Sequence, residues 1–354
     1  MAGRGDASLD CVLLGVGRFS ANALGYSLLH GGAGDDADAS GLVADGGWGA
    51  ALPGFTGSVL GVLGVQGGAL GMSISEAADT AEAITAASGS NLALALRVLP
   101  QGRRKDMRIF YAFCRQVDDL ADEPGLPLEE RRAGLRAWRE ALLRADALPG
   151  EPHVASALRR VFARHSVPLE WALEVVRGCE MDLEGTRYRT WEELRGYCYC
   201  VASAVGLVSA RIFGGTGCER YAEELGLALQ ITNILRDSAE DFAVSGRVYF
   251  PADELAQFGV EPGEWVSGEP KGWKALMAFQ VGRAREHYAA ATAALPVSER
   301  RVMVAAEIMR KVYGTLLDRM ESDGFQVWKQ AYRLSRRRKV WLAVSVFAKT
   351  LLSR

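Results

Sequence analysis

The run Tyr111-Ala112-Phe113-Cys114-Arg115-Gln116-Val117-Asp118-Asp119-Leu120-Ala121-Asp122 sets two aspartates, Asp118 and Asp122, four residues apart. On a helix that spacing puts both carboxylates on one face. Two carboxylates one turn apart repel each other unless a cation lies between them. Arg115 precedes Asp118 by one turn, and Tyr111 precedes Arg115 by another. Carboxylates that leave water positions open suit Mg2+, which commonly bridges protein and phosphate oxygens. An arginine beside them can take a phosphate in bidentate fashion. A solvated acidic helix face would carry the same residues, so this run alone leaves two readings open.

A second run narrows the choice. In Gln230-Ile231-Thr232-Asn233-Ile234-Leu235-Arg236-Asp237-Ser238-Ala239-Glu240-Asp241, the residues Asn233, Asp237 and Asp241 recur every four positions. They form an oxygen-rich stripe on a helix whose other residues, Leu225, Leu229 and Ile234, are apolar. Carboxylates buried among such residues are costly without a counter-charge. Two stripes of this kind predict a cavity between helices, with metal held from both walls. A structural salt-bridge network is the alternative. Farther on, Gly246-Arg247-Val248-Tyr249-Phe250-Pro251 offers Arg247 to a diphosphate and Tyr249 to the cavity. Between the acidic runs lies Tyr197-Cys198-Tyr199-Cys200-Val201-Ala202-Ser203-Ala204-Val205-Gly206. Its small residues let helices approach closely or leave room for a ligand beside the backbone.

The elements that must position these groups read as helices. From about Ser73 onward, segments rich in Ala, Leu, Glu and Arg alternate with short breaks, among them Pro100-Gln101-Gly102, Pro124-Gly125, Leu148-Pro149-Gly150 and Gly214-Gly215. Thr190-Trp191-Glu192-Glu193 fits a capping box at a helix start. No segment alternates with period two between turn signals, so no sheet is expected. Residues 1–71 differ. They hold 19 of the 40 glycines and neither lysine nor glutamate, so they read as a poorly ordered extension to a helical domain over 72–354. Translation starting at Met72 is the other explanation. Phe55 to Gly71 is apolar but too glycine-rich to read as a membrane span.

The bulk numbers set limits. The chain has 354 residues, 49% of them hydrophobic, enough for a substantial core. A net charge of −2 gives no support to a nucleic-acid partner. Cys11, Cys114, Cys179, Cys198, Cys200 and Cys218 form no CxxC pair, so they read as thiols in a reducing, cytoplasmic compartment. The first ten residues do not resemble a secretory leader. Near the end, Arg336-Arg337-Arg338-Lys339 leads into Val340-Trp341-Leu342-Ala343-Val344. A basic cluster beside tryptophan and aliphatic residues can rest on an anionic membrane surface, here the inner face of the membrane. An ordinary surface helix is the plainer reading.

Taken in order, these motifs resemble the squalene synthase/phytoene synthase family, which joins two prenyl diphosphates head to head. The similarity runs from about Ser88 to about Val344. It includes Leu99-Pro100, the two acidic runs, Met181 to Tyr188, the Tyr197 to Gly206 segment, Gly246 to Pro251, and Tyr313 to Phe325. The resemblance implies an all-α fold, a single helical bundle of the isoprenoid synthase type with a central cavity. It implies that Asp118, Asp122, Asn233, Asp237 and Asp241 hold Mg2+, with Mn2+ as an alternative ion. Arg115, Arg236 and Arg247 would contact diphosphate, and Tyr111, Tyr197 and Tyr249 would line the site. Val201, Ala202, Gly206 and Gln230 would touch substrate. Asp118, Asp122, Tyr197 and Asp237 would carry the catalysis. Four positions depart from the family: Ser238, where a larger apolar residue is usual; Asn91-Leu92, where Ser-Phe is usual; and Cys200, where eukaryotic squalene synthases have tyrosine. The wording of Val201 to Gly206 and Arg211 to Gly214 lies closer to bacterial presqualene diphosphate synthases than to phytoene synthases.

The expected reaction is therefore condensation of two farnesyl diphosphates to presqualene diphosphate. NADPH is needed only where squalene is the final product. Phytoene synthesis from two geranylgeranyl diphosphates is the nearest rival. A noncatalytic assembly factor on the same fold is a rival of another class, and its acidic runs should have eroded.

Overall fold

The computed structural model describes residues 95–122, 125–146, 150–152 and 154–352. The glycine-rich stretch 1–71, the proposed boundary at 72 and the Asn91-Leu92 departure lie outside these residues. Among the described residues the fold is helical, with no strand.

Helix α1 (Gln101–Asp122) starts directly after Pro100, whose carbonyl accepts from the Arg104 N–H at 2.9 Å. The break read at Pro100-Gln101-Gly102 thus falls at Pro100, and Gln101 and Gly102 already belong to the helix. The buried face of α1 runs Met107, Phe110, Tyr111, Cys114, Val117, Asp118 and Ala121, a helical repeat that delivers an aspartate into the interior. Helix α2 (Leu128–Leu143) covers α1, with Trp138 edge-on to Phe113 at 5.0 Å. Helix α3 (Ala155–His165) is tied to α1 at its C-terminal end, where Arg164 and His165 both reach the buried Asp106. Helix α4 (Leu169–Leu183) lies against both α1 and α2.

The centre of the bundle is a broken helix. Helix α5 (Trp191–Cys198) is capped by the Thr190 hydroxyl, which accepts from the Glu193 N–H at 3.5 Å. The Glu193 carboxylate reaches back to the Arg189 N–H at 2.6 Å, one residue earlier than in the standard box. A π turn (Tyr199–Ser203) follows, then α6 (Ala204–Phe213), which stops at Gly214 in the left-handed region with φ 89°. Single π turns inside helices often occur at functional sites. By length and composition Trp191–Phe213 could cross a membrane, but 78% of its apolar window is buried inside the fold.

Small residues let this segment meet α7 (Glu219–Ser245). A Cβ on Gly226 would lie 2.6 Å from the Ser203 Cα, and one on Gly206 would lie 2.9 Å from the Ala222 carbonyl oxygen. Helix α7 makes its most extensive contact with α10 (Trp273–Ala294). Between them in sequence lie the short helices α8 (Ala252–Phe258) and α9 (Glu264–Ser267). Trp265 of α9 stacks on Trp273 at 5.5 Å, and its indole N–H donates to the Ser238 carbonyl at 3.0 Å. The small Ser238 side chain is buried beside that indole, in space a larger residue would fill. Helix α11 (Val304–Ser322) contacts α7, and α12 (Arg336–Leu352) rests on α11.

Candidate active site

Asp118 is 1% exposed, and its Oδ1 has no hydrogen-bond partner among the described residues. Burial drives its carboxyl well above the usual range, Asp122 drives it further, and Arg115 opposes both. Arg115 lies 3.6 Å from the Asp118 carboxylate and also pairs with Asp119. The α1 wall therefore crowds Asp118, Asp119 and Asp122 around one arginine of its own.

Across from it, Arg247 joins the walls. Its guanidinium lies 2.9 Å from Asp122 Oδ1 and donates to the Asp182 carbonyl at 3.1 Å. Burial works against the Arg247 charge, but Asp182, Tyr249 and Asp122 more than offset it, so the proton is held more firmly than usual. Asp182, on α4, accepts from the Tyr197 hydroxyl at 2.8 Å and the Tyr249 hydroxyl at 2.9 Å. The two tyrosine rings stack at 5.3 Å, and Tyr188 packs 5.3 Å from Tyr197. Burial lifts the Asp182 carboxyl to about 6; Arg247 lowers it, Asp122 raises it, and the tyrosine hydroxyls lower it. Burial also holds both tyrosines well above their ordinary range, and Asp182 adds to it.

Asp182 is the residue sequence reading missed as a site group. It lies inside the quoted Met181 to Tyr188 motif and on the same helical repeat as Val175 and Cys179, both buried. An acid on an apolar stripe was the available signal. Helix α4 meets α1 here, and the buried Cys179 thiol is raised by burial most, then by Asp118, Asp182 and Asp122.

The α7 wall carries one continuous stripe. Gln230, Asn233 and Asp241 are buried, while Asp237 is partly exposed and held by its neighbour Arg236 at 2.7 Å. Asp241 reaches the tyrosine cluster, where its charge helps raise Tyr249. The same helical face continues backward to Gly226 and Ala222, which border a small apolar hollow together with Gly206, Phe213, Leu225 and Met309. From Asn233 to Ala222 is about 16 Å along a helix axis. One face of α7 thus passes from carboxylates to hydrocarbon, the profile of a ligand with a charged head and a greasy tail.

The sequence-expected residues do not all converge. Arg247, Asp122, Tyr197 and Tyr249 form one cluster with Asp182. Gly206 borders the hollow. Val201 and Ala202 are buried in helix contacts, Val201 against Gly178 and Ala202 against Gly226. Tyr111 is buried on α1 one turn before Arg115. Arg115 and Arg236 pair with carboxylates of their own helices, and no three His, Cys, Asp or Glu side chains among the described residues form a ready-made metal cage. The donor set still fits Mg2+: a buried, uncompensated Asp118 oxygen calls for a cation, and few protein ligands suit an ion that keeps water and phosphate oxygens.

The model of the squalene/phytoene synthase family matches residues 85–341. The chain belongs to this family. It is a prenyltransferase of the kind that condenses prenyl diphosphates head to head. Among family members, the 15-cis-phytoene synthase of Synechococcus elongatus is 33% identical over 298 residues, covering 79% of this chain and 96% of the relative. The presqualene diphosphate synthase of Rhodopseudomonas palustris is 36% identical over 262 residues, covering 72% and 91%. A squalene synthase structure from Alicyclobacillus acidocaldarius aligns with a TM-score of 0.63 at 27% identity, covering 71% of this chain and 95% of that one. A dehydrosqualene synthase structure shares the fold, with a TM-score of 0.65 at 24% identity, covering 78% and 97%.

Proposed function

We propose that this family member condenses two farnesyl diphosphates to presqualene diphosphate in a Mg2+-dependent reaction. The observation that carries the reading is the α7 face, which runs from Asp241 and Asp237 through Asn233 and Gln230 into the apolar hollow at Gly226 and Ala222.

Asp118, Asp122, Asn233, Asp237 and Asp241 would hold the ion. When bound, it would supply the positive charge that lets the diphosphate leave. Arg115, Arg236 and Arg247 exchange their carboxylate partners for diphosphate oxygens. The C–O bond of one substrate breaks, and its electrons leave with the diphosphate. The double bond of the second substrate attacks the allylic cation, and ring closure to the cyclopropane releases a proton. Tyr197 would take that proton at its hydroxyl oxygen while passing its own to Asp182, to which the hydroxyl already donates. The hydroxyl stays neutral throughout, so its raised pKa is no obstacle. The buried cluster of Tyr188, Tyr197 and Tyr249 would help exclude water from the cation.

Relatives named presqualene diphosphate synthase are 35–36% identical and relatives named phytoene synthase 31–33%. Phytoene synthesis from geranylgeranyl diphosphate is accordingly the second reading. NADPH enters only if the product is carried on to squalene. We place the enzyme in the cytoplasm, with its basic C-terminal helix at the inner face of the membrane. Incubating the purified chain with each prenyl diphosphate, with and without Mg2+, and identifying the lipid by mass spectrometry tests the reading. Presqualene diphosphate from farnesyl diphosphate supports it; a geranylgeranyl-derived product alone refutes it.

A further inference from the structure

Helix α12 has two apolar faces, and among the described residues only one is covered. Leu342 and Ala343 are buried against the bundle, and Val346 packs beside them. On the other side stand Val340, Trp341, Val344, Phe347, Leu351 and Leu352, between 41% and 82% exposed. At 100° per residue these six fall within one sector, centred about 155° from the sector of Leu342, Ala343 and Val346. Most of the large exposed hydrophobic residues on the described surface belong to this one helix. An apolar patch this continuous is uncommon on a surface that meets only water.

Charge says what covers it. The helix contains no acid, opens with Arg336, Arg337, Arg338 and Lys339, and carries Lys349 near its end. The Arg338 guanidinium lies 4.9 Å over the Trp341 ring, so the aromatic and basic groups share one edge. Exposed Lys329 and Arg333 precede the helix. A second copy of this surface would bring like charges together. An anionic bilayer would take the basic groups at its headgroups and the Trp341–Leu352 stripe at the acyl boundary.

We propose that α12 is a preformed membrane-docking helix that lies flat on an anionic lipid surface through its Val340–Leu352 stripe, its opposite face staying on α11. This deepens the membrane placement made above and rests on it, not on the identity of the prenyl substrate. Docking there would let hydrophobic chains exchange between bilayer and enzyme without crossing water.

Flotation of the full chain with vesicles tests this. One set is phosphatidylcholine alone, and the other also contains phosphatidylglycerol. The wild-type chain should float with the anionic vesicles, release as salt rises, and show little binding to the neutral ones. The triple substitution Trp341→Ser, Val344→Ser, Phe347→Ser should weaken binding about tenfold or more, as should Arg336→Ser with Arg337→Ser and Arg338→Ser. Both variants should keep the wild-type thermal midpoint, and diphosphate release from detergent-solubilised substrate should be unchanged, which separates failure of docking from failure of the enzymatic reading. Equal flotation of the triple variant overturns the proposal. So does a wild-type chain that ignores vesicles and becomes monomeric only when the stripe is substituted, the mark of a second copy as occupant.

Discussion

The Arg247 guanidinium lies 2.9 Å from the Asp122 carboxylate, so a residue just past the end of α7 ties that helix to the acidic end of α1. The same guanidinium holds the backbone of Asp182, and the Asp182 side chain holds Tyr197 and Tyr249. Three helices meet at one arginine.

Removing that arginine should leave two largely buried carboxylates without their counter-charge. Arg247→Ala is expected to cost about 3–5 kcal/mol of stability. Urea denaturation near neutral pH measures it. Arg247→Lys should recover part of the stability but little of the turnover, because a point charge cannot reproduce contacts on both sides.

The Asp182 carboxyl, raised from 3.8 to about 6, predicts a pH effect. Between those values the folded chain holds a proton that the unfolded chain has lost. The contribution of this group to stability therefore falls as pH rises through that window, and is most favourable below it. Asp118 is shifted in the same direction. Thermal midpoints of the wild type and Asp182→Asn should converge at acid pH. Toward neutral pH the wild type should fall relative to the variant. Parallel profiles would remove Asp182 from this role.

Asp118→Asn should separate function from stability. Turnover should drop about a hundredfold or more, through loss of charge at the leaving diphosphate. The metal-free variant should nevertheless melt at or above the wild type, because the burial cost of the carboxylate and its repulsion by Asp122 are gone. Added Mg2+ should raise the wild-type midpoint and leave that of the variant nearly unmoved. Scanning fluorimetry beside a diphosphate-release assay reads both.

Gly226→Ala tests the close approach of α7 to the π turn. The new methyl would meet the Ser203 and Ala202 backbone at 2.6–2.8 Å, and neither can rotate away. A loss of about 1–3 kcal/mol is expected, seen as a lower denaturation midpoint with an unchanged slope. A neutral effect would mean that the helices separate more easily than their contacts imply.

The two acidic runs were legible because four-residue spacing on a helix is a local property, and Asp118 and Asp122 needed no tertiary knowledge. The helical class was legible for the same reason. Asp182 was not, since a single acid acquires its role only when α4 brings it to Arg247 and Tyr249, partners more than sixty residues away in sequence. The π turn at Tyr199–Ser203 was equally hidden, because small residues permit it without requiring it. Arg115 and Arg236 matched a phosphate-binding pattern, yet each sits on a carboxylate of its own helix, a pairing that spacing alone could not separate from anion binding.

The most direct measurement is of product and diphosphate together, from the purified full-length chain given farnesyl diphosphate with and without Mg2+. One diphosphate should be released for each presqualene diphosphate formed, and neither should appear once the ion is chelated or Asp237 is replaced by alanine. Coupling that proceeds undiminished after either change would contradict the role given to the two acidic runs.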